Sequence, residues 1–474
     1  MFVSIYFLIF LGMVVACYFC VHSKWRAGVL LAASYLFCGF ISLRALFVLL
    51  IISAVTYLAG REIEKAGSRD KRGMGKVLLI LTIGSYLLLM GAYKYISYGF
   101  LRLGILERMP ESLLAQLVMP VGLSFYLFQA IGYLTDIYRK KHKAEKNFIY
   151  LGLYLAFFAK FVSGPIEREE DFIPQLKGLE KVRFFHRGRL STAFTYMLWG
   201  YFMKMVVADR LAVTADKIFE APEKFDSFWL LLGALFYTIQ IYCDFAGYSY
   251  IAIGCARIFG INLTQNFNMP YCAKSITDFW RRWHISLSFW LRDYLYIPLG
   301  GNRKGVFRKG INTMIVFIAC GMWHGSGLNF IAWGMLHGLY SVADYLWGKK
   351  KGSRLITFLE VAVAWIFFRA TGLRSALTYV WKMLTSGFHP EQFVSVMEQM
   401  KLSGVEMGIS LFGIMIIGAA DQICYKKNKH LPDLIQCGEN AVRYVIFYLL
   451  LIIIFVFGMY GPGYHAEDFI YMQF

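Results

Sequence analysis

Apolar stretches, many of about 18 residues or more, alternate with short and mostly basic loops along the whole chain. A helix of that length crosses roughly 30 Å of hydrocarbon. Apolar runs fall near 1–21, 28–43, 44–59, 77–93, 113–135, 147–163, 191–208, 227–258, 311–328, 331–347, 355–371, 405–420 and 441–460. The ten-residue alternating segments of a membrane barrel are absent. The pattern predicts an all-α polytopic membrane protein of roughly 10–12 spans. No internal repeat, low-complexity linker or soluble domain interrupts it, so residues 1–474 read as one membrane domain.

Two runs do not read as simple spans. The 147–163 run ends in Ser163-Gly164-Pro165 and is followed by charged residues 166–189, so both of its flanks carry cytoplasmic character. The 275–300 stretch is too polar for lipid and too aromatic for a solvent loop. Both are expected to be re-entrant or interfacial, because broken backbone at membrane depth must be sheltered by protein.

The loops set an orientation. REIEKAGSRDKRGMGK at 61–76 and RKKHKAEK at 139–146 are basic, as are Lys24/Arg26, Arg303 to Lys309, Lys349 to Arg354 and Lys426 to Lys429. Basic loops stay on the cytoplasmic side. Met1 and the tail 461–474 are then extracytoplasmic.

Composition agrees: 58% of residues are hydrophobic, 17% are charged, and mean hydropathy is +0.52. The net charge of +19 would suggest nucleic acid in a soluble protein. Here it follows from the loops, with anionic lipid or a phosphate-bearing substrate as its partners. The nine cysteines lie mostly in apolar runs, where they pack as small hydrophobes. The Cys17/Cys20 pair sits inside the first run, and a metal or redox site there would need partners that the sequence does not show. The N-terminus has no basic region and no cleavage site, and reads as a retained first helix.

The chemistry concentrates between Asp278 and His324, in DFWRRWHISLSFWLRDYLYIPLGGNRKGVFRKGINTMIVFIACGMWH. His324 lies about 14 residues into the run starting near 311, roughly 20 Å from the cytoplasmic face. An ionisable group at such depth faces protein, water or ligand. Imidazole is suited to take a proton from a hydroxyl near neutral pH. His324 is therefore a candidate general base; the competing reading is a buried histidine that only hydrogen-bonds between helices. His284, beside Arg281 and Arg282, is a candidate for orienting an acyl donor, or else an interfacial hydrogen-bonding residue. His337 reads as structural. Arg281, Arg282, Arg292, Arg303 and Lys304, with Lys309, are candidates for the phosphates of a nucleotide-like donor, or for lipid headgroups. Asp136, Asp209 and Asp244 suggest ion pairs inside the bundle, for instance with Arg257. No Walker loop, dinucleotide fingerprint, GxSxG elbow or HExxH spacing occurs, and no metal site is expected.

The Asp278–Gly305 segment, MWHGSGLNFIAWGMLHG, MPVGLSFYLFQAIGYLTDIYR at 119–139, FVSGPIER at 161–168 and YCDFAGYSYIAIGCARIFGINLTQNFNMPY at 242–271 together resemble the membrane-bound O-acyltransferase (MBOAT) family. The branch they resemble contains alginate O-acetyltransferase membrane subunits and other polysaccharide-acetylating proteins. The resemblance implies a ring of tilted helices with re-entrant segments around a central tunnel. It places the family's invariant histidine at His324 and its second important histidine at His284. It implies acetyl-CoA as the cytoplasmic donor, no bound cofactor, an extracytoplasmic polysaccharide as final acceptor, and residence in a bacterial cytoplasmic membrane. IPLGGNRKG leans toward acetyl transfer over D-alanyl transfer to teichoic acid, which stays open, as does a non-enzymatic channel or flippase.

The last six residues, Phe469 to Phe474, resemble a C-terminal FxYxxF motif of such proteins or their small partners. The resemblance implies Tyr471 as an acyl carrier that hands the group to an extracytoplasmic SGNH-type transferase. A phenol leaves more readily than an alkyl alcohol, so a tyrosyl ester can pass its acyl group onward. The competing reading of the tail is an aromatic interfacial anchor.

Overall fold

The computed structural model describes residues 2–68, 71–103, 119–184, 186–346 and 352–460. Among them every regular element is a helix and no strand occurs. Six of these helices are long and apolar enough to cross a membrane: Leu43–Ser68, Arg72–Phe100, Ser227–Ile258, Gly305–His324, Gly404–Lys427 and Asn440–Phe457. Ile5–Cys20 and Arg26–Ile41 are apolar but shorter, at 16 residues each. Among the described residues, fewer helices thus have spanning length than the apolar runs suggest.

The breaks fall at glycines and at the polar insertions. The 147–163 run is helical only over Phe148–Ala156, and 157–163 form turns. The 275–300 stretch divides into Ile276–Trp280, Ile285–Leu291 and a π-helical turn, Arg292–Tyr296. Neither segment continues as a long helix, as its mixed polarity suggests.

The chain forms two compact units. One comprises 5–193 and 255–264; the other comprises 1–4, 194–254 and 265–474. In the first unit, Gly60 lets the Tyr133 ring pack directly against the Leu43–Ser68 helix, where a Cβ would stand 3.0 Å from that ring. The FVSGPIER stretch is closed around Lys160, which is 1% exposed. Its ammonium donates to the Tyr154 carbonyl at 2.6 Å, at the C-terminal end of Phe148–Ala156, and to the Gln129 side chain. A cation suits the negative end of a helix. The Glu167 carboxylate accepts from the Thr264 amide and hydroxyl at 2.7 and 3.0 Å.

The second unit carries the functional block. Two of its helices, Gly305–His324 and Leu328–Leu346, form a hairpin joined by Gly325-Ser326-Gly327. Glycines set its closeness. A Cβ on Gly334 would strike the Phe317 carbonyl, and one on Gly321 the Phe330 carbonyl. Small residues permit such backbone approach between apolar helices. Elsewhere in the unit, Gly200 and Gly247 bring Arg187–Tyr201 against Ser227–Ile258, where either Cβ would meet the other's carbonyl at 2.5 or 2.9 Å. One turn on, Phe202–Ala208 is π-helical and directs buried Lys204 at two carboxylates, Asp244 at 2.6 Å and Asp209 at 2.7 Å. The acids expected to form ion pairs are therefore held by a lysine that the sequence reading passed over. Asp136 pairs with Lys141 at 2.9 Å.

Candidate active site

The helix that bears His324 begins at Gly305, six residues before the apolar run, because Val306 and Phe307 extend the helical pattern through the basic loop. His324 is accordingly its last residue, about 30 Å along the axis from its start. The run expected to continue to 328 instead ends as a helix at His324. There the chain turns through extended Gly325, where any side chain would collide with the Phe330 ring.

The His324 imidazole is 2% exposed and enclosed by aromatic rings. Trp323, Trp333 and Phe368 lie edge-on to it, with ring centroids at 4.7, 5.0 and 5.3 Å. Phe368 is positioned from its backbone. Asn329, buried in the second hairpin helix, donates to the carbonyls of Phe367 and Ala370 at 3.2 and 3.0 Å. These bonds satisfy carbonyls at the end of Arg354–Arg369 and tie that helix to the hairpin.

His284 comes from the broken segment. It is fully buried and adopts the left-handed region, φ 43° and ψ 54°, immediately before Ile285–Leu291. A side-chain-bearing residue pays for this conformation, so the turn needs external restraint. Asn266 supplies it. Its carbonyl accepts from the Ile285 amide at 3.0 Å, and its side-chain oxygen accepts from the Ser286 amide and hydroxyl at 3.1 and 2.7 Å. The His284 ring packs edge-on to Phe245 at 4.8 Å and contacts Trp323 at 6.2 Å. Burial pushes this imidazole down to about 3, so it is uncharged near neutral pH. The two histidines are thus brought to one indole, that of Trp323.

A third imidazole joins the cluster. His337 is fully buried, and its Nδ1 accepts from the Trp280 indole N–H at 3.3 Å. With Nδ1 accepting, the proton of a neutral ring resides on Nε2. Trp333 contacts His337 at 5.1 Å as well as His324, so one indole links these two imidazoles. Trp365 and Trp283 continue the ring set, 5.0 Å apart.

The basic candidates divide. Arg282 is engaged with Asp278 at 3.0 Å and with the Asn268 carbonyl, and it lies over the Tyr425 ring. Arg292 is paired through two contacts with its neighbour Asp293, at 2.7 and 3.1 Å. Arg281, Arg303 and Lys304 are exposed. Arg303 and Lys304 stand at the opposite end of the Gly305–His324 helix from His324. Tyr471 lies outside the described residues. The sequence reading missed Asn266 and the hydrogen-bonding use of His337. Asn266 had a signal, being an amide between apolar residues just before the broken segment. The role of His337 depends on Trp280, 57 residues away, and leaves no local trace.

Helices with the length to span a membrane and a buried imidazole cluster in a single unit define a helical membrane protein with a histidine-centred site. Residues 138–350 match the model of MBOAT, the membrane-bound O-acyltransferase family. The chain belongs to that family. It is 33% identical over 453 residues to a probable alginate O-acetylase AlgI of Pseudomonas putida, covering 92% of this chain and 90% of that protein. It is 34% identical over 336 residues to a peptidoglycan O-acetyltransferase of Helicobacter pylori, covering 64% and 63%. A teichoic acid D-alanyltransferase of Streptococcus thermophilus is 30% identical over 253 residues, covering 49% and 58%.

Proposed function

We propose that this protein is a membrane O-acetyltransferase that passes an acetyl group from cytoplasmic acetyl-CoA toward O-acetylation of an extracytoplasmic polysaccharide. The observation that carries the reading is the meeting of His324 and His284 at the Trp323 ring, inside a buried aromatic cluster. In this reading His324 is the general base. It takes the proton of the acceptor hydroxyl as that oxygen attacks the thioester carbonyl. A C–O bond forms, the C–S bond breaks, and the proton passes to the departing thiolate. Uncharged His284 contributes shape and hydrogen bonding, since a neutral ring does not attract phosphate. Arg281, Arg303 and Lys304 are the donor-phosphate candidates left by the ion pairs of Arg282 and Arg292. Arg303 and Lys304 are too far from His324 to touch the carbonyl, and suit the nucleotide end of a long donor.

The acceptor hydroxyl is proposed to be that of Tyr471, with an extracytoplasmic SGNH-type transferase as the next carrier. Both termini then face outward from a bacterial cytoplasmic membrane. The test is transfer of labelled acetyl from acetyl-CoA in proteoliposomes. His324→Ala is expected to lower transfer by at least about a hundredfold while remaining folded and monodisperse. Wild-type rates from that variant would end the assignment of His324 as the general base, and no transfer by the wild type would end the enzyme reading. Use of a D-alanyl carrier thioester in preference to acetyl-CoA would redirect it to aminoacyl transfer. Intact-mass analysis of the C-terminal peptide tests the relay, which fails if an active enzyme never gains acetyl there.

A further inference from the structure

A cavity in the first unit, formed entirely by residues between 63 and 143, has no part in acyl transfer as described. It has a volume of about 360 Å³ and lies where the end of Leu43–Ser68, the start of Arg72–Gly91 and the segment after Leu123–Tyr138 meet. Its lining carries four permanent cations, Arg72, Lys140, Lys141 and Lys143, against one carboxylate, Glu64. We propose that this cavity is a phosphate-binding site, taking the phosphate of an anionic lipid headgroup or of a soluble phosphorylated ligand.

The local bonds say which cations are committed. Lys141 is paired with Asp136 at 2.9 Å. His142 meets Glu169 at 2.8 Å through Nδ1. The one lining carboxylate accepts from the Ala144 amide at 3.2 Å, so it is turned to the loop backbone. Lys140 donates to the Gly67 carbonyl, at 3.3 Å, from a left-handed backbone, φ 59°. Arg72 lies over the Tyr138 ring, 5.9 Å from its centroid. Arg72, Lys140 and Lys143 therefore face a common concavity with no ion pair among the described residues. Like charges gathered around a cavity repel one another, and an anion of matching geometry relieves that. A guanidinium offers phosphate two parallel N–H donors, and ammonium groups add charge without directional demand.

The position favours a ligand at the membrane boundary. Leu43–Ser68 and Arg72–Phe100 are both of spanning length, and only 22% of the apolar 18-residue stretch of the second is buried within the protein. A basic pocket where two such helices end is suited to an anionic headgroup whose acyl chains lie along their exposed faces. A soluble ligand would use the same cations from the aqueous side.

Native mass spectrometry of the full chain in detergent distinguishes the outcomes. The probes are phosphatidylglycerol, phosphatidylcholine and inorganic phosphate. The variants are Arg72→Gln/Lys140→Gln/Lys143→Gln and the charge-keeping Lys140→Arg/Lys143→Arg. The expected result is retention of phosphatidylglycerol over phosphatidylcholine, weakened at least about tenfold by the glutamine variant and kept by the arginine variant. Inorganic phosphate binding that is lost in the glutamine variant, without a lipid preference, supports the site with a soluble source. Equal binding of both anionic probes by wild type and glutamine variant overturns the proposal, as does no binding of either by the wild type.

Discussion

Three imidazoles, those of His284, His324 and His337, meet within one set of indole rings, and they differ in what holds them. His324 has aromatic edges on several sides and sits at a helix end. His284 is held through its backbone by Asn266. His337 is held through Nδ1 by Trp280. The shared Trp333 ring makes His337 a positioning residue for the proposed base. His337→Phe fills the space but leaves the Trp280 N–H without its acceptor, at a cost of about 1–3 kcal/mol. It is expected to lower kcat by about tenfold with KM for the acetyl donor little changed, and His337→Asn to recover part of the loss. Steady-state kinetics on both variants checks this, because a purely structural role would reduce folded protein without recovery by asparagine. The histidines themselves were legible as polar residues out of place in apolar surroundings. Their partners were not, since a tryptophan in a membrane protein looks the same whether it packs, anchors or donates.

Among elements, the Gly305–Leu346 hairpin depends on backbone approach more than on side-chain interdigitation. Gly321→Ala and Gly334→Ala each force a methyl group onto a carbonyl of the facing helix, with overpacking costs of about 1–3 kcal/mol. Gly408→Ala is the control, because a Cβ there meets nothing within 4 Å. Thermal unfolding in detergent is expected to fall for the first two and stay level for the third. One long helix could be read from hydropathy to the residue, 227–258 against the observed Ser227–Ile258, whereas the runs 44–59 and 77–93 fall short of Leu43–Ser68 and Arg72–Phe100, whose polar ends continue the helix. The helix limits around His324 could not. Hydropathy marks where lipid-compatible residues begin, whereas the helix continues through Arg308 and Lys309, whose long side chains leave the backbone free to coil. Likewise the Gly325-Ser326-Gly327 link looks apolar enough to continue a span, and only the facing helix reveals it as a turn.

Across the molecule, the net charge of +19 hides two populations of cations. Most of those in loops are exposed and screened by salt. Lys204 is 2% exposed and shared between two buried acids. Its interaction is shielded from ions, so it contributes at any ionic strength. Lys204→Met strands two carboxylates, and breaking a buried pair in this way costs about 3–5 kcal/mol. The variant is expected to lose thermal stability to a similar extent at low and high salt. A surface variant such as Lys65→Met, which removes an exposed pair with Glu62, is expected to change little. A charge count reads both populations as topology. Only the π-helical turn at Phe202–Ala208, which no hydropathy pattern announces, directs Lys204 inward.

The left-handed backbone at His284 allows its ring to be separated from its turn. Glycine enters that region without penalty, whereas alanine keeps a Cβ that opposes it. His284→Gly therefore preserves the bend while opening a ring-sized space beside Phe245 and Trp323. Free imidazole added to that variant has a place to bind, and recovered turnover with rising imidazole would separate what the ring contributes from what the bend contributes.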